Sequence, residues 1–284
     1  MVSPSEKLTE SLEALESLQC NGVVAIRSRD LSRTHRKRLM ENGFLKEVMK
    51  GWYIPSRPEE THGESTSWFA SFWDFCTAYL ETRFGDQWSL SPEQSIALHI
   101  GNWSVPQQLL VRAPRARNKV TALAHGTSLF ESRASIPDKS EGELLNGLRV
   151  FKLSAALASA GPGFFRHSKN EARTALAVIT DASELLTVLL EGGHSTVAGR
   201  LAGAFRNIDR DRIADDILKG MKSAGYDARE SDPFAEKAPV LLAGKVQSPH
   251  INRMRLMWRE MREDVIREFK VTPEPVKDID KYLD

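Results

Sequence analysis

The residues of this chain that are best suited to a chemical task are cations. Between Arg27 and Lys50 stand eight Lys or Arg residues, at positions 27, 29, 33, 36, 37, 38, 46 and 50, against three acids, Asp30, Glu41 and Glu47, for a local net charge of +5. The whole chain of 284 residues carries 39 Lys plus Arg against 38 Asp plus Glu, a formal net charge of +1. A near-neutral protein that gathers its positive charge in one stretch points that stretch at a polyanion, and duplex DNA is the polyanion that fits. On this reading Arg33, Thr34, His35, Arg36 and Lys37 reach base edges or phosphates in the major groove. Arg27 and Arg29 lie beside them, and Lys46 and Lys50 hold the phosphate backbone. The competing explanation is a solvated face used for protein contacts.

A second cationic cluster, Arg112, Arg115, Arg117 and Lys119, precedes His125-Gly126-Thr127-Ser128. Small residues of this kind can cap a helix and hold an anion on backbone N–H groups, so the cluster reads as a candidate anion site. It reads equally as an exposed turn or as a second contact to the DNA backbone. Catalysis has little to stand on. His99 and His125 lack the companions of a metal site or a nucleophile triad, and no HExxH, GxSxG, Walker or GxGxxG run occurs. The expectation is a non-enzyme without cofactor or metal.

The elements that would position the first cluster are legible. Ser3 to Ser5 with Glu6 mark a helix start, and Leu8, Leu12, Leu15 and Leu18 give one apolar face to a helix over 5–19. Asn21-Gly22 breaks it, and Val23 to Ile26 is a short β-branched run. Asp30-Leu31-Ser32 caps a short helix over 34–42, which Asn42-Gly43 stops. Phe44 to Ile54 then reads as two brief strands turning at Lys50-Gly51, with Gly51, Trp52 and Tyr53 closing this wing against helix one. Helix, turn, basic helix and hairpin is the order of a winged helix-turn-helix, assigned to 1–57.

Residues 58–66 read as a polar linker within the stretch Pro55 to Ser67. An α+β domain over 67–235 follows. It opens on a helix over 67–84 whose wide aromatic face, Trp68, Phe69, Phe72, Trp73, Phe75 and Tyr79, must be buried. Strands are expected at Leu109–Val111 and Val120–Leu123, joined by the basic loop, with a further strand over 147–157. From about 170 to 223 helical spacing dominates. Residues 236–284 hold an amphipathic helix, Ile251 to Phe269, and a charged tail. The fold class is therefore α+β: a winged helix-turn-helix, then a mixed α/β domain with a helical C-terminal part.

Composition sets the outer bounds. Hydrophobic residues make up 41% and charged residues 27%, as in folded globular chains. Two cysteines, Cys20 and Cys76, suggest neither a disulfide framework nor a zinc site. The first twenty residues lack an apolar core, and no run near eighteen apolar residues follows, so a soluble cytoplasmic protein without membrane contact is expected.

Two resemblances sharpen this picture. The segment VVAIRSRDLSRTHRKRLMENGFLKEVMKGWYIPS resembles the winged helix of AbiEi-type antitoxins, regulators in toxin-antitoxin and abortive-infection systems. The block SWFASFWDFCTAYLETRFGDQWSLSPEQSIALHIGNWSVPQQLLVRAP with NKVTALAHGTSLFESR resembles the region preceding the Fic domain in longer bacterial Fic-family proteins. What these imply is a sequence-specific transcriptional regulator, an AbiEi-like antitoxin or autorepressor. Its expected partners are double-stranded DNA, a toxin or Fic catalytic domain, and a second copy in a homodimer. The alternative is the amino-terminal regulatory region of a Fic-type AMP transferase. The catalytic run resembling HPFxDGNGR is absent between Met1 and Asp284. Thr187 with Glu191-Gly192 matches the loose S/T-x-x-x-E-G pattern of Fic inhibitory helices, but its leucines suggest only a buried helix ending at glycine.

Overall fold

A computed structural model describes residues 4–60 and 64–235. The expected amphipathic helix at 251–269 and the tail lie outside the described residues. The class is α+β, with helices and small sheets interspersed as far as residue 151 and helices alone after it among the described residues.

Helix α1 (Pro4–Cys20) is followed by β1 (Ile26–Arg27), α2 (Arg33–Glu41), β2 (Leu45–Met49) and β3 (Trp52–Pro55). The three strands form an antiparallel sheet in the order β1-β3-β2. A hydrogen-bonded turn over 28–30 joins β1 to α2, so two helices, α1 and α2, precede the wing. The Ser32 hydroxyl caps α2 by accepting from His35 N at 3.1 Å. Gly43, at φ +76°, turns the chain out of the helix where a side chain would be strained.

This sheet is covered on both faces. Successive residues of a strand point to opposite sides. Tyr53 therefore joins Leu15, Ile26, Leu31, Leu39 and Leu45 in a small core against α1 and α2. Its neighbours Trp52 and Ile54 join the larger core built around α3 (Thr66–Phe84). A register shift between Glu47 and Met49 lets both Val48 and Met49 face that second core. Tyr53 meets the expectation of closing against helix one. Trp52 corrects it, since its ring packs edge-on against Phe75 and Tyr79 of α3.

Helix α3 fills its other side with a four-stranded sheet. Trp68, Phe72 and Phe75 are fully buried, each side chain contributing roughly 1.5–3 kcal/mol by leaving water. The sheet is made by β4 (Ser89–Leu90), β5 (Gln108–Ala113), β6 (Lys119–Ala122) and β7 (Ser128–Arg133), in the order β4-β5-β7-β6. Strands β5 and β7 run parallel while β6 and β7 are antiparallel. The two strands expected around the basic loop thus share a sheet but are separated by β7. Glu131 of β7, buried among these side chains, is held by Arg83 at 2.7 Å.

Helix α4 (Pro92–His99) lies between β4 and β5 in sequence. A hairpin of β8 (Gly142–Leu145) and β9 (Leu148–Phe151) turns at Asn146-Gly147, both at positive φ. That pair is the two-residue turn chemistry of a type I′ hairpin. The strand expected over 147–157 ends at Phe151, and Leu153 to Leu157 belong to α5 (Leu153–Ser159). The change falls at Lys152-Leu153, where the run Leu-Ser-Ala-Ala-Leu-Ala favours helix over strand.

The helical part continues with α6 (Pro162–His167), α7 (Lys169–Val178), α8 (Ser183–Glu191), α9 (Ser195–Arg206) and α10 (Asp211–Ser223). Its core joins Phe165, Leu176, Leu185, Leu189, Leu201 and Phe205. Thr187 and Glu191 sit on α8 outside that core, whereas Leu185 and Leu189 are buried in it. Residues 229–232 cross α9 at Gly199 and Gly203, where a Cβ would meet backbone at 1.8 and 2.2 Å.

Candidate nucleic-acid interface

Helix α2 carries the basic stretch, and its nine residues divide sharply by direction. Leu39 is buried against α1, and on the same side Ser11 of α1 lies fully buried. The Ser11 hydroxyl is within bonding distance of the Lys7 carbonyl at 3.0 Å and His35 Nδ1 at 2.9 Å, and it accepts from Arg38 at 2.8 Å. Arg38 also donates to the Lys7 carbonyl. Arg36 donates to the carbonyls of Ser28 and Leu31, and its guanidinium stacks 5.5 Å from the Tyr53 ring centroid. His35, Arg36 and Arg38 are thus each held to the fold through one side-chain nitrogen.

The opposite side of α2 presents Arg33, Thr34, Lys37, Met40 and Glu41 to solvent. Their spacing of one, four, seven and eight residues puts them on a single helical face. Lys37 makes only an exposed ion pair with Glu41 at 3.6 Å, of a kind that contributes about 0.3–0.5 kcal/mol. The side chains of Arg33, and of Lys50 at the tip of the wing, make no hydrogen bond or ion pair with another described residue. Long cations held only weakly by their own protein exchange partners for phosphate at little cost.

The flanking cations differ again. Arg27 grips Asp30 through Nε at 3.0 Å and a second nitrogen at 3.2 Å, and the Arg27 backbone N–H donates to the same carboxylate. Burial pushes the Asp30 carboxyl up. The bonds from Arg27 outweigh it and hold the group below the usual range. Arg29 lies 3.9 Å from Asp30 and is largely exposed. Lys46 pairs with Glu60, which also accepts from the backbone N–H and hydroxyl of Ser67. The Lys46 bond first, and then Ser67, lower the Glu60 carboxyl to about 2. Wing strand and α3 N-terminus are therefore tied by one carboxylate. Within the wing, Ser56 just past β3 is tied to the start of β2, its N–H donating to Phe44 O and its hydroxyl to Gly43 O.

The second cluster is not one patch. Arg112 lies within β5, half-buried over the Phe151 ring at 5.5 Å, and burial lowers its proton affinity. Arg115, Arg117 and Lys119 are exposed around a tight turn that Ala116 anchors by burial and Asn118 fixes by accepting from Arg133 N. The expected helix cap at His125 to Ser128 is corrected. The segment is a single turn of 3-10 helix at Ala124–Gly126 that runs into β7. The N–H groups of Thr127 and Ser128 already donate to Ala124 and Gln107 carbonyls, and the Thr127 hydroxyl to Ala124 O. They are committed to the fold.

Sequence reading did not single out Ser11, Tyr53 or Glu60 as partners of the cations. Ser11 carries one signal, a small polar residue on the leucine face of α1; Glu60 sits in a polar stretch with none.

Among the described residues no cluster of His, Cys, Asp or Glu is arranged to hold a metal, and no helix is long and apolar enough to cross a membrane. No family profile and no curated protein matches this chain. Among solved structures, the crystal structure of the RV2827C protein from Mycobacterium tuberculosis is similar, with 15% identity, a TM-score of 0.49, and coverage of 79% of this chain and 83% of that one.

Proposed function

We propose that this chain is a sequence-specific DNA-binding transcriptional regulator that acts by binding and carries no catalysis of its own. The reading rests on one observation: the outward face of α2 and the tip of the wing offer Arg33, Thr34, Lys37 and Lys50 to solvent with weak or no partners inside the protein. In a winged helix the helix before the wing enters the major groove while the wing rides on the backbone. Arg33 and Thr34, at the first turn of α2, stand where base edges come within reach, and Lys37 and Lys50 suit phosphates. Arg27, Arg36 and Lys46 serve by holding that face in shape.

The AbiEi-type resemblance of residues 23–56 supports a finer form of this proposal, an antitoxin that represses its own promoter and is bound by a toxin. By linkage, a toxin that prefers the DNA-free form weakens DNA binding by the factor by which DNA weakens toxin binding. An operator titration repeated at saturating toxin tests this, and an unchanged Kd sinks the coupling. A second reading, the regulatory part of a Fic-type AMP transferase, draws on the resemblance of residues 67–133 to the region before Fic domains. An HPFxDGNGR-like run in the same reading frame after Asp284 would favour it.

A further inference from the structure

Away from the basic face, a cavity of about 260 Å³ lies between the start of β4, the loop over 136–139 and the β8–β9 hairpin. Among the described residues three buried side-chain nitrogens have no hydrogen-bond partner: Trp88 Nε1, Arg149 Nε and Arg200 Nε. Two of the three, Trp88 and Arg149, belong to residues lining this one cavity. A buried donor left without an acceptor costs about 1–3 kcal/mol, and Trp88 is only 1% exposed. Two such donors in residues that line one cavity mark its wall as the place where an acceptor from outside the chain would bring a gain.

The rest of the wall narrows what that acceptor belongs to. Lys139 adds positive charge, while Asp86, Asp138 and Glu143 add three carboxylates. The Asp86 carboxyl is held below its ordinary range, first by Gln87 and in part by the charges of Arg149 and Lys139, so both signs meet here. A phosphate or a dicarboxylate would satisfy the donors but face three like charges. A zwitterion satisfies both sets. The volume falls below the roughly 300–1,000 Å³ of drug-sized sites, which suits a small metabolite.

We propose that this cavity binds a free α-amino acid, its carboxylate received by the Trp88 indole N–H and the Arg149 guanidinium, its ammonium by the acids Asp86, Asp138 and Glu143. The inference stands independently of DNA binding, because it is tested on the protein alone.

The experiment is calorimetry of the full chain against each of the common L-amino acids. Any binder is then compared with its amide, its N-acetyl derivative, acetate and inorganic phosphate. The expected result is one-to-one binding of at least one amino acid, weakened about tenfold or more when either the carboxylate or the ammonium is masked. Trp88→Phe keeps an aromatic ring and removes the donor; in protein shown to be folded by circular dichroism it should weaken binding by a similar factor, with a lower melting temperature from the smaller ring. Glu143→Gln, at the exposed rim, should do so for the free amino acid and not for its N-acetyl form. The proposal is overturned if no amino acid binds at millimolar concentration, if acetate or phosphate binds as tightly, or if a folded Trp88→Phe protein binds unchanged.

Discussion

Arg36 touches two backbone carbonyls and an aromatic face, whereas the Lys50 side chain makes no hydrogen bond, ion pair or ring contact with another described residue. These two cations should therefore fail differently. Arg36→Ala removes bonds that fix the turn before α2 and is expected to cost about 1 kcal/mol of stability, seen as a lower midpoint in denaturant unfolding. Lys50→Ala should leave that midpoint unchanged and reduce the salt slope of DNA binding by about one unit. Arg33→Ala is expected to weaken binding to the cognate site by about 1–3 kcal/mol and to scrambled duplex by much less. Equal losses on both duplexes would make Arg33 a phosphate contact. The position of the cations was legible in the sequence; their direction was not. A run such as Arg-Thr-His-Arg-Lys-Arg names the charge, and only the seating of Leu39 against α1 decides which side chains turn inward.

At the scale of elements, Glu60 links the wing strand β2 to the start of α3 through Lys46 and Ser67. Its carboxyl falls to about 2 in the folded chain from an ordinary value of 4.5. A lowered folded value adds stability that is fully present above the unfolded value and is lost as pH falls toward the folded one. The native protein should therefore be more stable than Glu60→Gln at pH 6, with the difference shrinking between about pH 4.5 and 2. A difference that stays constant across that window would show that the carboxylate charge contributes nothing. Gly199 makes a different prediction. A Cβ there would lie 1.8 Å from the Arg229 carbonyl, so Gly199→Ala should lift the 229–232 crossing from α9 and raise amide exchange at Ser231, whose N–H donates to Gly199 O. Unchanged exchange would mean the backbone yields without loss. Helices α1, α2 and α3 and the wing were readable because their caps and apolar spacing are local. Strand β7 escaped notice because it pairs with β5 across the intervening β6, a non-local pairing that no local pattern announces, and Trp52 was placed wrongly because strand alternation gives two faces without saying what covers the second.

At the scale of the whole molecule, the described residues form three cores, and the first two share a wall. The sheet carrying the wing has Tyr53 in the first core and Ile54 in the second, and α3 packs between it and the four-stranded sheet. The stretch that reads as a polar linker is pinned at Ser56 and Glu60. A rigid mount of this kind suits recognition, since preorganised contacts lose less entropy on binding. Unfolding of the winged segment should therefore coincide with loss of the Trp68–Phe75 cluster in one transition, followed by near-UV circular dichroism and amide exchange in α2. Separate transitions would show that the shared walls do not couple the units. The class, α+β with a helical C-terminal part, followed from the change of apolar period along the chain. The sharing of walls did not, because the residues that make it, Trp52, Val48 and Ile54, are apolar in either arrangement. The proposed DNA binding is tested most directly by fluorescence anisotropy of the full chain against duplex from its own promoter and against scrambled duplex, at two salt concentrations. It predicts tighter binding to the promoter, weakening as salt rises; no binding to either duplex would contradict it.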